Sequence, residues 1–489
     1  VSPRIGSLAR DTVVYGVLDV TNRLVAVFLV PLYTRLLVPA DFGAVDLATT
    51  FITVMYALVM FGMDSAVTHH YNTSAESERR SFTSTALMIV LATSSIAAAV
   101  LLALRGVLAT RVLPDAAQGR SLLTIAAATL PLMAMANLQI LFLRITFRRK
   151  QFAFLSLSVL VTNVTLNFVF LLGMHLGARG ILLAQFFSSL FSCLAGVWMA
   201  RDFLGARFSK TNAGVMLRYG APLIVGNVAF WLSTYLERYA LGTYLDLTTV
   251  GLYAVAAKVA AVVTMVSSAI DYAWMPFALS IQKQSDAGET YARVLLYYVI
   301  LCGFAGTLVT IFAREILLVV TGAAYHSAYW IVGPLVVALL ARGVTNIVAI
   351  ASFVSGRTML IAHASAASVV VQAALLFALV PIAGPIGAAT ATVVARCIAA
   401  TWIHLRTKHL LAVPYRWGIV LRSILVFVAA AAIAIPISRM SPATSIGVKL
   451  LLLCPAMTFA LIAATRIDRD PAVGGLLRRF PRVRHSGSH

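Results

Sequence analysis

"DVTNRLVAVFLVPLYTRLL", Asp19–Leu37, is the stretch whose reading decides the fold. Its apolar run extends upstream to Thr12, so the segment 12–37 exceeds the roughly 20 residues a helix needs to cross a bilayer. Yet it carries Asp19, Asn22 and Arg23 together, then Pro31, then Arg35. Asp19 stands one helical turn before Arg23, at the spacing of an ion pair. Two readings stand side by side: a structural Asp19–Arg23 pair, or a cation held for an anionic ligand, the pair breaking as the protein changes state. Pro31 removes a backbone donor and is a candidate hinge or a static kink.

The rest of the chain repeats this apolar character. Of its 489 residues 61% are hydrophobic and 11% charged, against about 25% charged in a soluble domain. Backbone polar groups in lipid must be satisfied within the segment, so an all-α polytopic membrane protein is expected. The alternating segments of a barrel are absent. Fourteen spans are expected: 12–37, 43–68, 82–104, 121–143, 150–173, 178–201, 214–240, 251–280, 290–313, 327–352, 358–380, 386–406, 417–437 and 446–465. The first is too long for a cleaved signal peptide, and an equally apolar span follows it. The connections leave no room for a soluble domain.

With the N-terminus in the cytoplasm, 24 Lys and Arg fall in cytoplasmic segments and eight in outer ones. Basic bias in short loops sets orientation, so both termini are expected inside. The net charge of +21 is read as topology signal and as contact with anionic lipid, not as a nucleic-acid surface. Cys193, Cys302, Cys397 and Cys454 are scattered through apolar spans and read as packing residues, with no disulfide or metal framework.

Internal repetition organises the spans. Tyr15-Gly16 and Tyr219-Gly220 are 204 residues apart, Gly43 and Gly251 208, Pro131 and Pro334 203, and Gly180 and Gly387 207. Four matches in order predict a duplicated six-helix unit, with both copies entering the membrane from the same side. The expected divisions are an N-terminal lobe at 1–212, a second lobe at 213–410, two further helices at 411–466 and a basic tail at 467–489.

Charge inside a span is costly, roughly 2.5–3.5 kcal/mol for Arg at its centre, and normally faces protein or water. Arg23, Lys258, Arg342, Arg396, Arg422 and Lys449 lie inside spans. Arg422 and Lys449, near helix ends, read as snorkelling. Arg23 and Asn22 are the first candidates for a cavity. Arg342 follows, with Asn346 on its face, and then Lys258 among small residues. Glu237 and Arg238 end the seventh span and read as partners, rim groups or ligands. Arg396 reads as a cavity cation or as a reach to the head groups. Asp19, Asp46 and Glu237 are candidates for ion coupling. Asp271 and Asp64 read as caps or anchors, and Asn163 with Asn167 as interhelical glue. The adjacent histidines of "HHY" at 69–71 do not share a helix face, so no metal site is expected there. No Walker, GxSxG, HExxH or CxxC pattern appears, so no catalytic residue and no cofactor is expected.

The stretches "YGVLDVTNRLVAVFLVPLYTRLLVPADFGAVDLATT", "FGMDSAVTHHY", "YLERYALGTYLDLTTVGLYAVAAKVA" with "AWMPFALS", and "NVTLNFVFLLGMHLGARGILLAQ" together resemble the polysaccharide biosynthesis protein family of oligosaccharide-lipid flippases. Its superfamily also holds the lipid II flippases and the multidrug and toxin extrusion exporters. The resemblance spans roughly Ala9 to Arg406, with Glu237 where an aspartate is more usual. It implies fourteen helices, two six-helix lobes and a cationic central cavity. It also implies export of polyprenyl-diphosphate sugars across a bacterial cytoplasmic membrane, driven by protons, sodium or the membrane potential. The implied partners are the lipid-linked glycan, anionic lipids, and glycosyltransferases or a polymerase. That Arg23, Lys258 and Arg342 meet the diphosphate is inferred from their placement. Two rivals are a cation-coupled drug exporter of the same superfamily, which would want more cavity acid, and a non-transporting component of a polysaccharide synthase complex.

Overall fold

A computed structural model describes residues 21, 25, 28–113, 118–201, 208–357, 359–437, 447–449 and 451. Asp19, Asn22, Arg23 and Cys454, most of the first span, nearly all of the fourteenth and the basic tail lie outside them. The helices are α1 Val30–Leu36, α2 Pro39–Met60, α3 Met63–Thr73, α4 Glu76–Ala103, α5 Arg105–Val112, α6 Gly119–Ile145, α7 Arg149–Phe168 and α8 Ala178–Ala200. They continue as α9 Lys210–Tyr244, α10 Leu247–Ala260, α11 Val262–Ile281, α12 Ala287–Ile311, α13 Ala313–Val320, α14 Tyr329–Val348, α15 Ile350–Val354, α16 Met359–Thr407 and α17 Trp417–Ile437. Among the described residues there is no strand, and nine helical stretches are long and apolar enough to cross a membrane. They become ten when Lys210–Ala221 and Gly226–Tyr244, bent by 55°, are taken as one span. This is a multi-pass membrane fold.

The chain packs as two compact units. The first takes Val1–Lys258, Leu317–Ile331 and Thr358–Ala399. Within it, Pro39 opens α2 at a position that needs no backbone donor. Phe61 and Gly62 both adopt positive φ, 46° and 67°, and break the span into α2 and α3. A Cβ on Gly62 would lie 2.7 Å from the Gly220 carbonyl oxygen, so two backbones meet at the break. The Thr93 hydroxyl donates to the Val59 carbonyl at 2.9 Å, satisfying a group near the interrupted ladder. Gly43 of α2 and Gly251 of α10 also meet backbone to backbone. A Cβ on Gly43 would stand 2.8 Å from Gly251 N, and one on Gly251 2.8 Å from the Pro39 carbonyl carbon. Small residues at a helix crossing allow this approach.

The second unit takes Val259–Ile316, Val332–Arg357 and Ala400–His489. Here α12 packs on α17, with the Phe427 ring seated on Gly303, where a Cβ would come within 2.5 Å of it. Lys449, expected to snorkel, is instead fully buried. Its Nζ donates to both carboxylate oxygens of Glu315 at 2.8 Å. A partner inside the protein makes the reach to the interface unnecessary.

Several backbone features recur along the chain. Gly177 has φ 56° and ψ −136°, and Gly384, 207 residues on, has φ 54° and ψ −133°. The region is essentially closed to side chains other than glycine's. Leu104 ends α4 with φ −89° and ψ 3°, and Phe312, 208 residues on, ends α12 with φ −94° and ψ 9°. An eight-residue helix follows each, α5 and α13.

Candidate functional site

The first unit holds a cluster of charged and polar side chains drawn from helices that are otherwise apolar. Near its C-terminal end, α9 presents Glu237 and Arg238. The two residues are 9% and 8% exposed, and each is engaged on several sides. Arg238 Nε donates to Asp46 Oδ2 of α2 at 2.7 Å, and its Nη1 donates to the Thr234 carbonyl at 3.1 Å. Nη1 also stands 3.7 Å from Glu237 Oε2. That same oxygen accepts from the Tyr253 hydroxyl of α10 at 2.9 Å. Glu237 Oε1 accepts from Thr392 at 2.6 Å and from Gln372 Nε2 at 3.1 Å, both on α16. The Ser233 hydroxyl donates to the amide oxygen of Gln372 and holds the amide in that orientation. A buried ion pair is tolerable only when its remaining lone pairs and protons are satisfied, and both carboxylate oxygens of Glu237 meet that condition.

The Gly43–Gly251 approach explains why these groups converge. Asp46 lies three residues beyond Gly43 on α2, and Tyr253 two beyond Gly251 on α10. Lys258 stands five residues further along α10. Its ammonium lies 5.9 Å from the centre of the Phe42 ring, a cation–π contact. Among the described residues no carboxylate lies within ion-pair distance of it. Lys258 lines a cavity of about 240 Å³ together with Asp46, Tyr33, Asn163 and Gln185. The Tyr33 hydroxyl donates to Asn167 Oδ1 at 2.9 Å, and Asn167 Nδ2 donates to Asn163 Oδ1 at 3.2 Å. The cavity therefore offers an ammonium and amide groups beside the Asp46 carboxylate, which Arg238 pairs, in a largely apolar surround, a setting that can replace the water around an anion's oxygens.

The remaining candidates are distributed more widely. Arg342 and Asn346 of α14 are both exposed and share a helix face in the second unit. Asp271 of α11, read from sequence as a cap or anchor, is hydrogen-bonded by Asn346 and lies in the field of Arg342. Arg396 is half-buried on α16 and engaged. Pro31 occupies the first turn of α1. Sequence reasoning missed Tyr253, Gln372 and Thr392, which complete the shell of Glu237. The one available signal was Gln372, a lone amide inside "VVVQAALL".

The profile of a family described as "Polysaccharide biosynthesis protein" matches residues 32–329. The fold is similar to a solved structure of the lipid II flippase MurJ in an inward closed conformation. The TM-score is 0.69 at 13% identity, over 94% of this chain and 100% of that one. It is also similar to the inward-facing conformation of a multidrug resistance MATE family transporter of the MOP superfamily, with TM-score 0.66 at 14% identity, covering 80% and 94%. A mutant of the Vibrio cholerae MATE transporter VcmN aligns with TM-score 0.56 at 15% identity, covering 82% and 94%. At these identities the likeness is one of fold. No curated protein matches the sequence.

Proposed function

The chain belongs to the polysaccharide biosynthesis protein family, and on that premise we propose that it is a flippase that carries polyprenyl-diphosphate-linked oligosaccharide across a bacterial cytoplasmic membrane. It is a translocase, and no bond of the substrate is broken. Fourteen spans form two six-helix lobes, 1–212 and 213–410, followed by two further helices, with both termini in the cytoplasm. The recurrence of one glycine conformation at Gly177 and Gly384 supports the duplication. Alternating access opens the path between the lobes to each side in turn.

The observation that carries this reading is Lys258. It is a cation without an ion-pair partner among the described residues, and it stands in a walled cavity of about 240 Å³. An ammonium there, with the Asp46 carboxylate already paired to Arg238, is stabilised when a diphosphate occupies the cavity and is hydrated when none does. Arg23 and Asn22, outside the described residues, are the further anion contacts that the sequence offers. Arg342, Asn346 and Asp271 are exposed in mid-helix, where lipid would exact several kcal/mol. They face a wet passage instead. Arg238 and Arg396 set the field around that passage. Asp46 and Glu237 couple transport to a cation, because binding one there redistributes the contacts of Arg238. Pro31 lets the first helix bend. The prenyl tail stays in the bilayer, anionic lipids hold the basic cytoplasmic loops, and glycosyltransferases and a polymerase act before and after the flip.

Reconstitution tests this reading. Full-length protein in vesicles should exchange a fluorescent prenyl-diphosphate sugar between leaflets, and Lys258→Gln should slow the exchange at least tenfold. Undiminished exchange by that variant, or none by the wild type, would overturn it.

A further inference from the structure

One amide in the wall of the Lys258 cavity has its direction fixed by the protein before any ligand arrives. Asn163 and Asn167 stand one turn apart on α7; Asn163 is half-buried and lines the cavity, whereas Asn167 is buried. Asn167 Nδ2 donates to the Asn163 main-chain carbonyl at 2.8 Å and to Asn163 Oδ1 at 3.2 Å. A main-chain carbonyl only accepts, so the atom of Asn167 that faces it is the nitrogen. The Tyr33 hydroxyl, 2.9 Å from the other end of that amide, therefore meets the oxygen and donates to it. The Asn167 nitrogen also faces the Asn163 side chain, so the atom it meets there is the oxygen. One backbone group thus sets the sense of three side chains in turn. What remains is Asn163 Nδ2. It makes no hydrogen bond among the described residues, and its protons are left for whatever fills the cavity.

The other polar groups of the wall behave differently. Lys258 is a donor in any orientation. Asp46 is an acceptor, but Arg238 offsets its charge at 2.7 Å. Gln185 makes no hydrogen bond among the described residues, so either end of its amide can turn to a ligand. Asn163 has no such freedom. Turning it would set its nitrogen against that of Asn167 and leave a buried proton without a partner, which is costly. A cation entering the cavity meets these protons and the ammonium together. An anion rich in oxygen accepts from both. The bond from Asn163 requires no ordering of its side chain, whereas a bond from Gln185 must first immobilise a flexible one.

We propose that Asn163 is a specificity-determining donor to the phosphate oxygens of the substrate, held in that sense by Asn167 as a positioning residue. The proposal rests on the flippase reading and deepens it: Lys258 supplies charge, and Asn163 supplies a neutral, directed donor that tells an anionic head group from a cationic one. The two asparagines, expected as glue between helices, divide the work. Asn167 ties α7 to α1 through Tyr33, and Asn163 is left to the ligand.

The test measures binding of two probes that share one tail, farnesyl diphosphate and farnesylamine, to full-length protein in nanodiscs. The tail contributes alike to both, so the ratio of their dissociation constants reports the head group. A variant that merely loosens the cavity moves both constants and leaves the ratio. The wild type should prefer the diphosphate by about tenfold or more, and Asn163→Leu should lower that ratio about tenfold, the weight of one hydrogen bond to a charged group, by weakening the diphosphate alone. Tyr33→Phe combined with Asn167→Leu removes the bonds that hold Asn163 without stranding a buried hydroxyl. The Asn163 amide is then intact but can turn its oxygen to the cavity. Farnesylamine should tighten in that double variant, and the diphosphate should weaken by less than in Asn163→Leu. Tyr33→Phe alone should move the ratio less than the double variant does, because the main-chain carbonyl still holds Asn167. Equal shifts of both probes in Asn163→Leu, or no shift, overturn the assignment of Asn163, and an unchanged ratio in the double variant overturns the role of Asn167. If Lys258→Gln erases the preference for the diphosphate and Asn163→Leu does not, the flippase reading stands and this proposal falls. If Asn163→Leu acts as expected but the wild type exchanges no prenyl-diphosphate sugar in vesicles, the flippase reading falls and the anion donor stands. A wild type with no preference overturns both.

Discussion

Replacing Gly43 or Gly251 with alanine should separate α2 from α10 and disturb the site built on them. A Cβ on Gly43 would stand 2.8 Å from Gly251 N, and one on Gly251 3.2 Å from Gly43 N, where ordinary contact begins at 3.4 Å. Each added carbon also presses on main-chain carbonyl groups of the facing segment, at Leu247 and Pro39, which cannot turn aside as a side chain would. The helices must therefore part by roughly half an ångström or more. Overpacking of this kind costs about 1–3 kcal/mol, against a gain of about 1 kcal/mol from replacing glycine within a helix. Gly214 of α9 isolates that gain, since a Cβ there meets nothing within 4 Å. Gly214→Ala should be neutral or stabilising, and each of the other two singles destabilising. The double variant should lose less than the sum of the singles, because the second methyl enters a gap the first has opened. Residual monodisperse protein after heating in detergent, with tryptophan fluorescence as a second probe, measures the series. Singles as harmless as Gly214→Ala, or a double whose loss equals the sum, would refute the close approach.

Three other outcomes follow from the same packing. Gly177→Ala and Gly384→Ala should each destabilise by about 1–3 kcal/mol through backbone conformation alone. Their Cβ atoms would meet no atom closer than 3.8 Å and 3.6 Å, so thermal unfolding should show similar losses in both. Glu315→Ala should cost about 3–5 kcal/mol by stranding the buried Lys449 ammonium, while Glu315→Leu with Lys449→Met should recover most of the loss, read by the same unfolding assay. Glu237→Gln should abolish the dependence of leaflet exchange on an imposed cation gradient, and Tyr253→Phe, which removes a single hydrogen bond at 2.9 Å, should weaken it only in part.

The long helices were legible because hydrocarbon demands long apolar runs, whereas the short α5 and α13 fall in connections between the expected spans and were not. The polar network was legible only in fragments. Asp46 and Arg238 are 192 residues apart, and neither identity nor spacing announces their pairing. Thr392 is a commonplace residue in an apolar helix, and only its 2.6 Å contact with Glu237 gives it a role. Charge draws attention because burying it is expensive, whereas a neutral hydroxyl can bond its own helix and leaves no signal. Gly43 and Gly251 were visible as a repeat match. That they touch is a matter of packing, which a periodicity does not contain. Asp271 read as an anchor because its neighbours in sequence are aromatic, while its partners lie on α14.

The bond between Lys449 and Glu315 also bears on how the chain is made. Glu315 leaves the ribosome 134 residues before its counterpart does. During that interval the Glu315 carboxylate lacks this ammonium, and the second unit lacks the contact that Lys449 makes within it. Chains cut short before Lys449 should therefore be less stable than the full chain, even though the described residues around Lys258 have already been synthesised.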